Sequence, residues 1–205
     1  MPYFPLFIDL REQEVLIVGG GTVALRKIEK LLPYGARITA AAPHFLPELE
    51  AMHTLTLLRG RFDERLLTGK RLVIAATDDH ALNHRIALLC REAGIPVNAV
   101  DQKEDCTFLF PALVQRGELS VGISTGGSSP SAAIYLKEAL QALLPDDFDG
   151  VLRYLGSLRA RVREIVPEEA ARSRIFRRLL RECIQGDWPL EEQRLTQIIR
   201  EEAEQ

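Results

Sequence analysis

The sequence predicts an α/β protein whose first hundred residues form a parallel sheet with helices. Three observations lead to this prediction. Short apolar runs alternate with helical patterns up to about residue 100. A glycine-rich turn joins the first run to the first helix, and after residue 145 only helical patterns remain. We therefore expect a parallel sheet, then a short α+β segment, and finally a helical region.

Apolar runs and turn residues place the elements of the first part. The run at 71–76 is almost uniformly apolar, which is typical of a strand buried on both faces. Asp79 is the expected N-cap of a helix that ends at Gly94. The expected strands are 15–18, 37–42, 55–58, 71–76 and 95–100, and the expected helices are 22–32 and 80–93.

The pattern changes after residue 100. Two strands joined by a four-residue turn are expected at 108–114 and 119–124. A glycine-serine loop follows, and Ser129 with Pro130 should begin a helix that runs to about Leu144. Three further helices are expected, at 148–165, 168–185 and 189–203.

Composition narrows the class of protein. The 205 residues are 46% hydrophobic, and the net charge of −3 argues against a general nucleic-acid binder. Three scattered cysteines fit a reducing compartment, and no segment is apolar enough to span a bilayer. The start lacks a signal peptide's basic region, so a cytoplasmic location is expected. His80 and His84 share a helix face without a third ligand, so no metal site is expected.

The glycine turn is the most informative feature. Gly19, Gly21 and Ala24 follow the G-x-G-x-x-A pattern of Rossmann-like dinucleotide-binding domains. Gly19 permits the tight turn, Gly21 lets the backbone approach a pyrophosphate, and Ala24 lets the helix pack closely. The helix N-terminus then offers N–H groups to the phosphates. We expect Gly19, Gly20 and Gly21 to bind the dinucleotide, although a ligand-free turn is the alternative.

The second strand lacks the acidic residue that usually binds the adenosine ribose. Pro43 and His44 follow that strand instead. The ribose would then be held by the backbone, by His44 or by water, and the residues leave the choice between NAD and NADP open. A solvent-facing loop histidine is the alternative for His44.

Ligands in open α/β sheets bind beyond the carboxyl ends of the strands. Thr77, Asp79 and Asp101 are expected at this edge. Asp101 could accept a proton as hydride leaves a substrate carbon, although a turn-capping role explains its position equally well. The loop at 125–131 leads into a helix and is a second candidate anion site. The helical region at 151–181 has nine arginines and three acids, which suits an acidic ligand or a solvated helix face.

Six ordered motifs resemble the precorrin-2 dehydrogenase/sirohydrochlorin ferrochelatase family, whose module is also the N-terminal half of fused siroheme synthases. The likeness covers residues 1 to about 145 well and the helical tail more loosely. This chain ends where the fused enzymes continue, so a stand-alone form is expected. The motifs are YFPLFIDL, VLIVGGG, VIAATDD, VNAVD, FPALVQRG and ISTGGSSP.

The resemblance implies a reaction and a set of site residues. NAD⁺ would take hydride from precorrin-2 to give sirohydrochlorin, with Asp101 as the catalytic carboxylate, and Fe²⁺ insertion would then give siroheme. The implied cofactor contacts are Thr22, Val23, Pro43 and His44, besides Gly19, Gly20, Gly21 and Thr77. The tetrapyrrole would contact Ser124, Thr125, Gly126, Gly127 and Lys137, the last because Ile134 stands where many relatives have arginine.

The resemblance also implies a homodimer that forms through the middle segment. The division is then an NAD-binding domain at 1–113, a dimerisation segment at 114–145 and a helical domain at 146–205. Two alternatives stay open: a dehydrogenase without chelatase activity, and an NAD-sensing regulatory module that needs the glycine turn but no catalytic base.

Overall fold

The computed structural model describes residues 3–186 and 188–204. The chain forms two compact units, Met1–Phe110 and Pro111–Gln205. The expected boundary after residue 113 falls inside a strand of the second unit, where Leu113 pairs with Gly122. Dividing the chain after Phe110 keeps this hairpin whole. The further division at residue 145 stays a prediction.

The first unit contains a five-stranded parallel sheet, as predicted. The strands are β1 (Glu14–Val18), β2 (Arg37–Ala42), β3 (Thr56–Arg59), β4 (Leu72–Ala75) and β5 (Val97–Ala99), and the helices are α1 (Thr22–Leu31), α2 (Pro47–Glu50) and α3 (His80–Glu92). The strand order is β3-β2-β1-β4-β5. The chain adds β2 and β3 on one side of β1 and then returns to add β4 and β5 on the other side, so the topological switch point lies between β1 and β4.

Alternate side chains of β1 enter different core clusters. Val15 and Ile17 pack in a cluster with Ala24 and Ile28 of α1. Leu16 and Val18 pack in another cluster with side chains of α3. Because side chains alternate along a strand, these two clusters lie on opposite faces of the sheet. The sheet is therefore buried on both faces, which explains the uninterrupted apolar runs in the sequence.

The described residues of the second unit form a two-stranded antiparallel sheet and four helices. The hairpin begins at Ala112 rather than at residue 108, because Phe108 and Phe110 pack against the core of the first unit. Ser129 caps its first helix as predicted, accepting a hydrogen bond from Ala132 N at 3.2 Å. The elements are β6 (Ala112–Arg116), β7 (Leu119–Ile123), α4 (Pro130–Leu143), α5 (Phe148–Ile165), α6 (Glu169–Gln185) and α7 (Glu192–Ala203). Among residues 3–186 and 188–204, no helix has the length and apolar character needed to cross a membrane.

Candidate functional site

The first two glycines of the turn after β1 are required by packing. Gly19 has a φ of +135°, and a Cβ there would collide with the carbonyl of Ala76 at the end of β4. A Cβ on Gly20 would collide with the carbonyl of His44, which follows β2. These contacts bring the turn against both neighbouring strands. Any larger side chain at either position would push the strand ends apart.

Gly21 is different, because a Cβ there would meet nothing within 4 Å. It is the N-cap of α1 in an extended conformation, with a φ of −94°. Within the described residues of this helix and its cap, no side chain caps α1, and the first turn holds no acid. The space beside the Gly21 Cα is therefore open, and the first turn of α1 has no carboxylate that would compete for its N–H groups. This is the environment that a dinucleotide pyrophosphate needs, so the residues present fit that group.

The end of β2 lies beside the glycine turn. Pro43 and His44 are exposed, and Leu46 N donates a 3.0 Å hydrogen bond to the carbonyl of Gly20. Residues 43–46, all of them described, include no acidic side chain, as the sequence indicated. The backbone contact to Gly20 thus fixes the loop that is expected to hold the adenosine ribose.

Thr77, at the end of β4, is held by Asn83 of α3. The hydroxyl of Thr77 donates to Asn83 Oδ1 at 2.7 Å, and the amide of Asn83 donates to the Thr77 carbonyl at 2.9 Å. The next helix begins as predicted, with Asp79 accepting a hydrogen bond from Leu82 N at 3.0 Å. Asn83 is fully buried, so these hydrogen bonds hold the backbone at Thr77 in place.

Asp101 follows β5 at the same edge of the sheet. Its side chain is exposed, and its φ of +59° is in the left-handed region that non-glycine residues rarely adopt. The thiol of Cys106 holds the surrounding loop by donating to the carbonyls of Ala99 at 3.1 Å and Gln102 at 3.3 Å. Glu12 has the same φ, so this conformation does not by itself mark Asp101 as a functional residue.

A buried carboxylate anchors the far end of this loop. Asp105 is 7% exposed and accepts a 2.8 Å hydrogen bond from His84 of α3. Arg91, also on α3, lies 4.0 Å from the same carboxylate and donates to the carbonyl of Glu104. The loop that carries Asp101 is therefore tied to α3 at several points, which limits its movement.

Lys27 is a charged residue near the site that sequence reasoning missed. It lies on the α1 face that includes buried Ala24, Ile28 and Leu31. Its ammonium group lies 4.0 Å from the ring centroid of Phe110. Burial, together with the nearby charge of another lysine on the helix, lowers its pKa from 10.5 to about 8.

The predicted substrate residues belong to the second unit. In the loop at 124–129, Thr125 donates to the Ser129 carbonyl at 3.0 Å, and Gly126 N donates to Ser124 Oγ at 3.2 Å. Gly126 and Gly127 have φ values of +63° and +85°. The loop is thus folded by its own hydrogen bonds, and Lys137 on α4 is half-buried.

Several of the arginines in the helical region already have partners within the described chain. Arg153 pairs with Asp149, Arg161 with Glu192, and Arg178 with Glu201. These pairs weaken the prediction that the whole arginine-rich region serves an acidic ligand. They favour the alternative of a solvated helix face for that part of the set.

The predicted site residues are divided between the two units. The glycine turn, Pro43, His44, Thr77 and Asp101 all follow strands of one parallel sheet at its carboxyl edge. The residues at 124–127 and Lys137 lie in the second unit. The missed residues, Lys27 and Asn83, share a signal that the sequence does contain: each is a polar residue on a helix face otherwise made of buried apolar side chains.

Known proteins are similar to this chain in sequence. A siroheme synthase of Methylococcus capsulatus is 42% identical over 183 residues, which is 88% of this chain and 39% of that protein. A siroheme synthase of Escherichia coli O1:K1 is 42% identical over 182 residues, covering 87% and 40%. This chain therefore spans about two fifths of the length of these curated relatives.

A solved structure matches over the whole chain. SirC, a precorrin-2 dehydrogenase, superposes with a TM-score of 0.67 and 27% identity, covering 99% of this chain and 100% of the other. These matches confirm the resemblance inferred from the motifs. A family model described as "Putative NAD(P)-binding" matches residues 6–112, which include the glycine turn and Asp101. The chain therefore belongs to this family of NAD(P)-binding proteins.

Proposed function

We propose that the protein oxidises precorrin-2 to sirohydrochlorin with NAD⁺ as the hydride acceptor. The observation that carries this proposal is the position of Asp101. Its carboxylate follows β5 at the edge of the sheet where the glycine turn opens, in a chain that resembles a precorrin-2 dehydrogenase along its full length. A carboxylate at this edge supplies the base that a dehydrogenation requires.

Different residues of the first unit bind the two halves of the cofactor site and accept the substrate proton. The N–H groups of Gly21, Thr22 and Val23 bind the pyrophosphate, and the loop with Pro43 and His44 holds the adenosine ribose. NAD⁺, when bound, accepts the hydride that leaves a carbon of the tetrapyrrole with both bond electrons. Asp101 accepts the proton that the substrate loses in the same oxidation. The products are sirohydrochlorin, NADH and one proton.

The tetrapyrrole carries several carboxylates, and residues of the second unit are the proposed contacts. Gly126 and Gly127 have left-handed φ values and no side chains. The loop therefore presents only backbone groups at these two positions, close in sequence to the N-terminus of α4. Ser124, Thr125 and Lys137 complete this set. Fe²⁺ is a proposed second substrate, with Asp101 then accepting protons from the pyrrole nitrogens as the metal enters.

A homodimer is also proposed, and exposed apolar side chains of α4 support it. Ile134, Tyr135, Leu136 and Leu143 are between 49% and 79% exposed. A helix with this many exposed apolar groups is typical of an association surface. A cytoplasmic location is proposed as well, since three free cysteines fit a reducing compartment.

The test is anaerobic incubation of the purified protein with precorrin-2 and NAD⁺, followed by absorbance. We expect conversion to the sirohydrochlorin spectrum that depends on NAD⁺. Addition of Fe²⁺ to preformed sirohydrochlorin without NAD⁺ then tests the chelatase step by itself. Oxidation of precorrin-2 without insertion of Fe²⁺ would mean that the protein is a dehydrogenase without chelatase activity.

A regulatory module that senses NAD is the alternative, favoured only by the exposure of Asp101. Asp101→Ala separates the two functions. An enzyme loses turnover while it still binds NAD⁺, whereas a sensor keeps its response. NAD⁺ binding without any conversion of precorrin-2 by the wild-type protein would support the sensor.

A further inference from the structure

The end of β3 brings an arginine to the part of the cofactor site that lacks an acid. Arg59 pairs with Ala42, the last residue of β2, and Gly60 N donates a 3.0 Å hydrogen bond to the Ala42 carbonyl. Leu57, two residues before Arg59, packs against the core cluster that contains α1. Because side chains alternate along a strand, Arg59 lies on the α1 face of the sheet. It therefore stands at the carboxyl edge, next to the loop that is expected to hold the adenosine ribose.

An aromatic ring connects Arg59 to the glycine turn. The Arg59 guanidinium lies 5.8 Å from the centroid of the Phe45 ring, which is within the range of a cation–π contact. A Cβ built on Gly20 would lie only 3.0 Å from Phe45 Cδ1, so the same ring packs beside the turn. Phe45 is buried, which fixes the ring in place. The cation is therefore held close to the turn that is expected to bind the pyrophosphate.

Arg59 can still bind a further anion. It donates a 2.5 Å hydrogen bond to Glu50 of α2, yet its side chain remains 59% exposed. A guanidinium has five N–H donors, so one carboxylate contact leaves donors for a ligand. Arg61, two residues further along, is exposed and forms no ion pair with residues 3–186 or 188–204. Two arginines thus stand beside a single contacting carboxylate, which favours the binding of an anion.

We propose that the cofactor site also accepts the 2′-phosphorylated dinucleotide NADP⁺, with Arg59 as the residue that binds the 2′-phosphate. The inference rests on the proposed function, because it concerns the cofactor of the same site. An acid after β2 selects NAD⁺, since it accepts hydrogen bonds from the ribose hydroxyls and repels a phosphate. Residues 41–46 include no such acid. The end of β3 supplies a guanidinium instead, whose planar set of N–H donors suits a phosphate.

Calorimetric titrations with NAD⁺ and with NADP⁺ test the proposal without any turnover. We expect the wild type to bind NADP⁺ at least as tightly as NAD⁺. Arg59→Gln should weaken NADP⁺ binding about tenfold or more and change NAD⁺ binding less than about twofold, because only NADP⁺ carries the 2′-phosphate. Glu50→Gln should strengthen NADP⁺ binding, since it removes a negative charge beside the arginine that binds the phosphate.

The matched control is Arg37→Gln, because Arg37 lies at the opposite end of β2 and likewise pairs with a glutamate, Glu12. Both affinities should keep their wild-type values in this variant. The proposal would be overturned by wild-type NADP⁺ binding more than about tenfold weaker than NAD⁺ binding, or by an unchanged NADP⁺ affinity in Arg59→Gln. Binding of both dinucleotides as expected by a protein that cannot oxidise precorrin-2 would support the assignment of Arg59 and count against the proposed function only.

Discussion

Asn83 and Thr77 are joined by three hydrogen bonds between α3 and the end of β4. The Thr77 N–H and hydroxyl both donate to Asn83 Oδ1, at 3.2 and 2.7 Å, and the Asn83 amide donates to the Thr77 carbonyl at 2.9 Å. Asn83 has no exposed surface. A buried amide with its groups paired in this way is expensive to remove, because its partners then lose their hydrogen bonds in a dry environment.

Asn83→Leu should therefore destabilise the protein by about 2–3 kcal/mol, since the Thr77 N–H loses its acceptor and the Thr77 carbonyl loses its donor. Urea denaturation of the variant measures this change in the free energy of unfolding. The matched control is His80→Gln, an exposed position on the same helix, which should change stability by less than about 0.5 kcal/mol. Equal stability of Asn83→Leu and wild type would contradict the assigned network.

Alanine substitutions at Gly19 and Gly21 should have different effects, the first on stability and the second on cofactor binding. Gly19→Ala should cost about 3 kcal/mol or more, because the new Cβ collides with the Ala76 carbonyl and the φ is positive. Gly21→Ala should leave the melting temperature unchanged, because its Cβ meets open space. It should nevertheless weaken NAD⁺ binding at least about tenfold, since the Cβ occupies the place of the pyrophosphate. Calorimetry of binding and thermal melts of both variants check this pair, and tight NAD⁺ binding by Gly21→Ala would contradict it.

Substitutions of Asp101 should lower the oxidation rate strongly and change the stability of the protein little. Its left-handed φ costs about 1 kcal/mol for an ordinary side chain, a cost that glycine does not bear and asparagine bears easily. Asp101→Asn should thus keep its fold and NAD⁺ binding while oxidation falls by about a hundredfold or more. Asp101→Ala should lose activity as well and be slightly less stable than Asp101→Asn. Retention of the rate in Asp101→Asn would remove the carboxylate from the mechanism.

Lys27→Met should make the protein more stable at neutral pH. The folded pKa of about 8 lies below the ordinary value of 10.5, so the unfolded chain binds more protons between these two values. Stability of the wild type therefore rises with pH across that window, and below pH 8 the burial of the charge is a constant cost. We expect a gain of about 1 kcal/mol at about pH 7, after a discount for the exposed part of the side chain. Urea denaturation at neutral pH and near the upper end of the window should show the gain shrinking as the pH rises, and a constant difference would contradict the assignment.

The sheet and the glycine turn could be predicted because local patterns specify them. β2 has the predicted bounds, and α3 begins after its aspartate cap, as expected. The sequence predicts too early a start for the hairpin, because Phe108 and Phe110 are residue types common in strands. Their side chains pack instead against the core of the first unit, and no local sequence pattern reveals this contact.

The contacts that shape the site could not be predicted in the same way. The clash that reserves Gly20 for glycine is with His44, and Asp105 of the loop meets His84 of α3, so both depend on segments that are distant in sequence. Lys27 and Asn83 were detectable in principle, because each interrupts an apolar helix face. A polar residue on such a face indicates a buried role without telling which partner it meets.

The most direct test of the central claim is the stoichiometry of the anaerobic reaction. NADH formation would be followed at its own absorbance band while sirohydrochlorin is quantified in the same sample. We predict one NADH for each sirohydrochlorin formed, with neither product in the Asp101→Asn variant. Binding of NAD⁺ by the wild type with no NADH formed from precorrin-2 would contradict it.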